Sequence, residues 1–367
     1  MGTAPTEPAA DASASAPGAG AGVESAAEPP LLAELTDASF ERYWKAGALK
    51  YRHFRPLAEG GTAKLEVCLD ANLGREVVFK SLHPHLADDE GEQQRFLREA
   101  RVTALIAHPG TVPLYELGRK ADGTLYFTMK RLRGRDLREI LMALAAKDHD
   151  LEPLYPLARL VDVVASVAQT IAHAHSRGVI HRDLKPANVL VGAFEQTTVL
   201  DWGLAKVRAD APGVVDHPAD GPSLVELPQV ELPAGPEALR MELTRPGRRY
   251  GTPLYMSPEQ ARGDADLDER TDVYNLGSVL YEVLTLQNLI VGNELDEVMD
   301  LVLNQPPPRP SATAPPGREV PPELEELCLA ALSKDPADRP ASMAGFAEAL
   351  ALARPTRRRK RRWASGR

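Results

Sequence analysis

His181-Arg182-Asp183-Leu184-Lys185-Pro186-Ala187-Asn188 follows the apolar pair Val179-Ile180, and Asp201-Trp202-Gly203 closes a second apolar stretch, Val199-Leu200, some thirteen residues later. Upstream, Val164, Val167, Ala168, Ile171 and Ala174 recur at i, i+3, i+4, i+7 and i+10, the stripe of a helix with one buried face. Gly178 stands where such a helix reverses its hand to stop. The stretch therefore reads as a helix, a polar loop and short buried strands, with two carboxylates, a lysine and an amide gathered at the loop.

Toward the N-terminus the period changes. Leu65, Val67 and Leu69 alternate with Lys64, Glu66, Cys68 and Asp70, as on a half-buried strand. Asn72-Leu73-Gly74 turns the chain, and residues 75–82 form a second strand rich in Val and Phe. The spacing predicts a helix over residues 93–106, ended by His108-Pro109-Gly110, then a strand over 125–129. From Leu137 the pattern is helical, with further helices at 272–286 and 322–332. A strand-rich region followed by a helical one predicts an α+β fold.

The 367 residues suffice for one two-lobed domain with tails. Two cysteines, Cys68 and Cys328, exclude a disulfide scaffold and fit a reducing compartment. Nothing approaches the ~18 uninterrupted apolar residues of a membrane span. The first basic residue is Arg42, so the start does not read as a secretory signal. Net charge is −9, yet residues 354–367 carry basic groups and no acid, so the rest is more acidic still. An acidic body argues against nucleic acid as a partner.

The loop and its neighbours, together with Gly251-Thr252-Pro253-Leu254-Tyr255-Met256-Ser257-Pro258-Glu259-Gln260, resemble the protein kinases, and among them the bacterial eukaryotic-like Ser/Thr kinases. The resemblance covers residues 54–352. It implies a bilobal kinase fold, with an N-lobe at 54–132 and a C-lobe at 133–352. The activation segment would be 201–259, and its proline-rich middle is expected to be disordered. Residues 1–30, rich in Ala and Pro, are expected to be a disordered tail, 31–53 a helical extension, and 353–367 a basic tail.

The same resemblance implies ATP and Mg²⁺, which Mn²⁺ can replace, and protein substrates. Asp183 would accept the substrate hydroxyl proton and Lys185 steady the γ-phosphate, while Asn188 and Asp201 would hold metal. Lys80, in Val77-Val78-Phe79-Lys80, would grip the α- and β-phosphates, paired with Glu99. Leu57, Ala58, Glu59, Gly60, Gly61, Ala63 and Leu65 would form the nucleotide loop, and Val78, Met129 and Leu132 the adenine slot. Lys185 points to Ser/Thr rather than Tyr substrates. Arg182 and Thr244 would regulate, through phosphorylation of the activation segment. Glu259 with Arg339, and Asp272, would hold the C-lobe and catalytic loop.

The nucleotide loop departs from the family pattern, since Ala58 and Ala63 replace its outer glycines. That departure supports the alternative of a pseudokinase scaffold that binds without transfer, against which stand Lys80, Glu99, Asp183, Asn188 and Asp201. The expected location is the cytoplasm, with the basic tail available to the anionic inner face of a membrane.

Overall fold

The computed structural model describes residues 45–208, 253–292 and 294–355. The predicted helix before Trp44, most of the activation-segment insert and nearly all of the basic tail lie outside them.

Five antiparallel strands open the domain: β1 Tyr51–Glu59, β2 Ala63–Asp70, β3 Arg75–Leu82, β4 Leu114–Arg119 and β5 Leu125–Lys130, in the order β1-β2-β3-β5-β4. The sheet thus begins at Tyr51, and residues 51–53 belong to it rather than to a helical extension. Residues 47–50 form a single 3₁₀ turn. Helix α1, Glu90–Leu105, joins β3 to β4. It starts earlier than the apolar pattern suggests because the Asp89 side chain accepts the Glu92 amide at 3.0 Å and caps it.

Pairing in register puts Leu65, Lys80 and Phe127 side by side, and likewise Val67, Val78 and Met129. These residues share the face of the sheet toward α1, where Phe96, Ala100, Leu82 and Phe127 pack together. The opposite face is covered too. Tyr51, Phe79 and Tyr126 cluster there over Cys68 and Val77, with the Phe79 and Tyr126 rings stacked 4.6 Å apart.

The C-lobe is built on α3, Leu157–Ser176, and α5, Glu269–Thr285. Among the described residues only α3 is long and apolar enough to cross a bilayer. Its buried Leu160, Val164, Val167 and Ile171 form the centre of the C-lobe core, together with Val273, Leu276 and Leu280 of α5. Between β5 and α3 lie β6, Gly134–Asp136, and α2, Leu137–Ala145. After α3 come β7, Val179–Ile180; β8, Val189–Gly192; β9, Thr197–Val199; and β10, Lys206–Val207. They pair as β6-β8-β9 and β10-β7. The remaining helices are α4, Pro258–Arg262; α6, Leu295–Asn304; α7, Pro310–Thr313; α8, Pro322–Ala331; and α9, Met343–Leu352.

Two features bind these parts together. Val102 of α1 and Ile106, the residue after it, belong to the C-lobe core, and the Val199 amide donates to Gly110 O at 2.8 Å. Glu259 at the start of α4 takes a two-pronged bond from Arg339, at 2.7 and 2.8 Å. Burial would raise the Glu259 carboxyl, but the Arg339 bonds and charge outweigh it and hold the group below its usual range. Beyond α9, Arg354 pairs with Asp162 of α3 at 2.5 Å.

Candidate active site

The loop between β7 and β8 owes its shape to one buried carboxylate. Asp272, in the first turn of α5, accepts the His181 and Arg182 amides at 2.8 Å each and is bonded to His175 Nε2 at 2.7 Å. Burial alone would raise its pKa, but these partners keep it below the ordinary carboxylate value. Arg182 is left-handed, with φ of 66°. Its carbonyl accepts from Gln260 Nε2 at 2.7 Å, and its Nε donates to Leu204 O at 2.7 Å. A non-glycine residue in this region costs on the order of 1 kcal/mol and persists only where its surroundings fix it. His175 and Gln260 were not foreseen as holders of the loop. Gln260 lies 78 positions from Arg182, and His175, though close to the loop in sequence, acts through Asp272, 97 positions away, so only the helix packing brings these partners together.

Within this frame, Asp183 Oδ2 lies 2.6 Å from Lys185 Nζ and 3.2 Å from Asn188 Nδ2. Asn188 Nδ2 also donates to the Asp183 carbonyl at 2.9 Å. Both bonds use the amide nitrogen, which leaves Asn188 Oδ1 as an acceptor on the other side. Burial raises the Asp183 carboxyl, Lys185 opposes that through charge and hydrogen bond, and Asp201 adds to the rise.

Asp201 follows β9 and is left-handed, with φ of 59°. Gly203 donates its amide to Asp201 Oδ1 at 3.2 Å, and a Cβ there would stand 3.1 Å from that oxygen and 3.9 Å from Glu99 Oε2. Glu99 in turn is ion-paired with Lys80. Burial pulls the Lys80 ammonium down, but Glu99 and Asp201 together hold it above its usual value. Lys80, Glu99, Asp183, Lys185, Asn188 and Asp201 therefore meet in one cleft between sheet and helices.

Of the nucleotide-loop residues, Ala58 pairs with Leu65 and Glu59 with Lys64 across the β1–β2 hairpin. Gly60 N donates to Ala63 O at 2.9 Å and closes its tip around Gly61. Leu57 falls where β1 shifts register on β2. Val78 and Met129 face each other on the inner side of the sheet, and Leu132 follows β5 in the segment leading to β6. Thr244 lies outside the described residues.

The cleft suits a divalent cation. Its three carboxylates, Glu99, Asp183 and Asp201, outnumber its two lysines, and Asp201 with Asn188 Oδ1 offers the hard oxygen donors such an ion prefers.

Residues 51–220 match the family model of the protein kinase domain, beginning where β1 begins. The chain is 36% identical over 322 residues to the Ser/Thr protein kinase pkn3 of Myxococcus xanthus, a match spanning 86% of this chain and 52% of that protein. This chain belongs to the bacterial eukaryotic-like Ser/Thr protein kinases. The kinase is also 32% identical over 296 residues to the Ser/Thr protein kinase PknD of Chlamydia caviae, covering 79% of this chain and 30% of that protein. PknD of Protochlamydia amoebophila is 32% identical over 292 residues, 78% of this chain and 28% of its own. The kinase thus spans about half the length of pkn3 and less than a third of these two PknD proteins. Family membership implies ATP, a divalent metal and protein substrates in general terms.

Proposed function

We propose that this kinase transfers the γ-phosphoryl group of Mg-ATP to Ser and Thr hydroxyls of proteins, itself included, with Mn²⁺ able to replace Mg²⁺. The observation that carries the reading is the joining, in one cleft, of the Lys80–Glu99 pair with Asp183, Lys185, Asn188 and Asp201. Asp183 takes the hydroxyl proton as the oxygen forms its bond to phosphorus and the bridging oxygen leaves with ADP. Its Oδ2 is held by Lys185 and Asn188, so Oδ1 is the oxygen that meets the hydroxyl. Lys185 stands beside it, where its charge offsets that of the phosphoryl group in flight. Lys80 holds the α- and β-phosphates, and Glu99 keeps its ammonium charged and aimed. Asp201 and Asn188 Oδ1 would hold the metal, which when bound neutralises phosphate charge and aligns the leaving group.

In this reading Thr244 is a site of activating phosphorylation, with Arg182 coupling the activation segment to the base. The kinase works in the cytoplasm, and its basic tail draws it to anionic membrane.

The test uses the full chain with labelled ATP, Mg²⁺ and a generic basic protein, with phosphosites mapped by mass spectrometry. Wild type labels itself and the substrate. Asp183→Asn and Asp201→Asn each lose at least about a hundredfold in rate while keeping wild-type circular dichroism. Wild-type protein that binds ATP but labels nothing, with Mn²⁺ as well, overturns transfer in favour of a scaffold. Absence of phosphate between residues 204 and 256 in active enzyme removes the role of Thr244.

A further inference from the structure

Pro84 restricts the residue before it to extended backbone, and His83 sits at φ −65° and ψ 141°. In that conformation His83 points back at the tip of the β1–β2 hairpin. Its amide donates to Thr62 O at 2.9 Å, and its Nε2 lies 2.8 Å from Gly60 O. A carbonyl only accepts, so Nε2 carries the proton. The His85 ring stacks on His83 at 5.5 Å and 18°, and the His83 side chain is only 13% exposed. One residue outside the loop therefore ties two of its carbonyls, with a ring braced from behind.

This has a directional result. The chain has no cis peptide among the described residues, and in a trans peptide the carbonyl of one residue opposes the amide of the next. With the Gly60 and Thr62 carbonyls turned toward His83, the Gly61 and Ala63 amides are turned away from it. Amides aligned in this way make a cradle for anions.

We propose that His83 is a positioning residue for nucleotide. Its two bonds set the tip of the hairpin so that the Gly61 and Ala63 amides face the ATP phosphates, which compensates for the alanines at positions 58 and 63. The role rests on the nucleotide-binding reading above, and deepens it. It predicts an effect on ATP affinity rather than on the chemical step, because His83 reaches neither the base nor the substrate hydroxyl.

The experiment compares His83→Phe, which keeps a ring against His85 and removes the donor, with His83→Gln, which keeps an N–H donor. The 367-residue chain is titrated with a fluorescent ATP analogue and Mg²⁺, and its steady-state rates are measured against ATP. His83→Phe is expected to raise both the analogue Kd and the KM for ATP about fivefold to tenfold, the size of one lost hydrogen bond. At saturating ATP its kcat should stay within about threefold of wild type, and His83→Gln should recover most of the affinity. Wild-type affinity in His83→Phe, or a fall in kcat with KM unchanged, overturns the proposal. If His83→Phe does not fold, His83→Gln decides: near-wild-type affinity supports the clamp, and affinity lost in a folded protein overturns it. A wild type that binds the analogue but transfers nothing defeats the transfer reading alone, and the binding comparison still judges His83.

Discussion

As the proposed base, Asp183 would work only when ionised, yet the protein surrounds it with groups that pull both ways. Burial and the nearby Asp201 charge raise its carboxyl above the ordinary range, and Lys185 is the main group resisting them. A base with a raised pKa gains activity as pH climbs through that value, so the acid limb of the rate profile should lie above the ordinary carboxylate range. Lys185→Met removes the resistance. It should lower kcat about a hundredfold and also move the acid limb of kcat/KM to higher pH, read from rates across a pH series. A limb that stays in place would mean that Lys185 does not tune the base.

At the scale of elements, the segment joining the lobes is fixed by a close backbone approach. Gly134 in β6 pairs with Gly192 of β8, and a Cβ on Gly134 would stand 2.4 Å from Val191 O. The obstacle is backbone and cannot swing aside, so Gly134→Ala must push β6 off β8. It should cost about 1–3 kcal/mol in urea unfolding and raise the KM for ATP, since residues 131–133 lead directly into β6. Unchanged stability would show that β6 has room to shift. The strands differ in how plainly the sequence announces them. β3 and β5 carry runs of Val, Phe and Tyr and are readable from propensity alone. β1 is not: Tyr51 is its one buried residue, Pro56 interrupts it, and its register on β2 shifts on either side of that proline. An edge strand tolerates both, but no periodic signal survives. Of the site, Lys80, Glu99, Asp183, Asn188 and Asp201 were found through motif resemblance. The bonds from His175, Gln260 and His83 join residues 23 to 97 positions away from their partners and appear only once the chain is folded.

Across the whole molecule the charges are divided, acidic over most of the chain and basic in residues 354–367. Arg354 pairs with Asp162, and the run Arg357-Arg358-Arg359-Lys360-Arg361-Arg362-Trp363 follows it in sequence. A basic residue near an anionic bilayer contributes ~1 kcal/mol, while the acidic body is repelled. The full chain should therefore sediment with vesicles containing anionic lipid at low salt and be released as salt rises. A chain ending at Ala353 that binds those vesicles equally well would sink the idea.

The indole that follows Asp201 is almost fully buried, and its ring lies 4.6 Å from that of His181. The sequence has only three tryptophans, at positions 44, 202 and 363. Replacing Trp44 and Trp363 by phenylalanine would leave a single fluorophore, one residue from a proposed metal ligand and in contact with the first residue of the catalytic loop. Its emission would then report, without any attached dye, the moment at which solvent or a neighbouring charge reaches the catalytic centre.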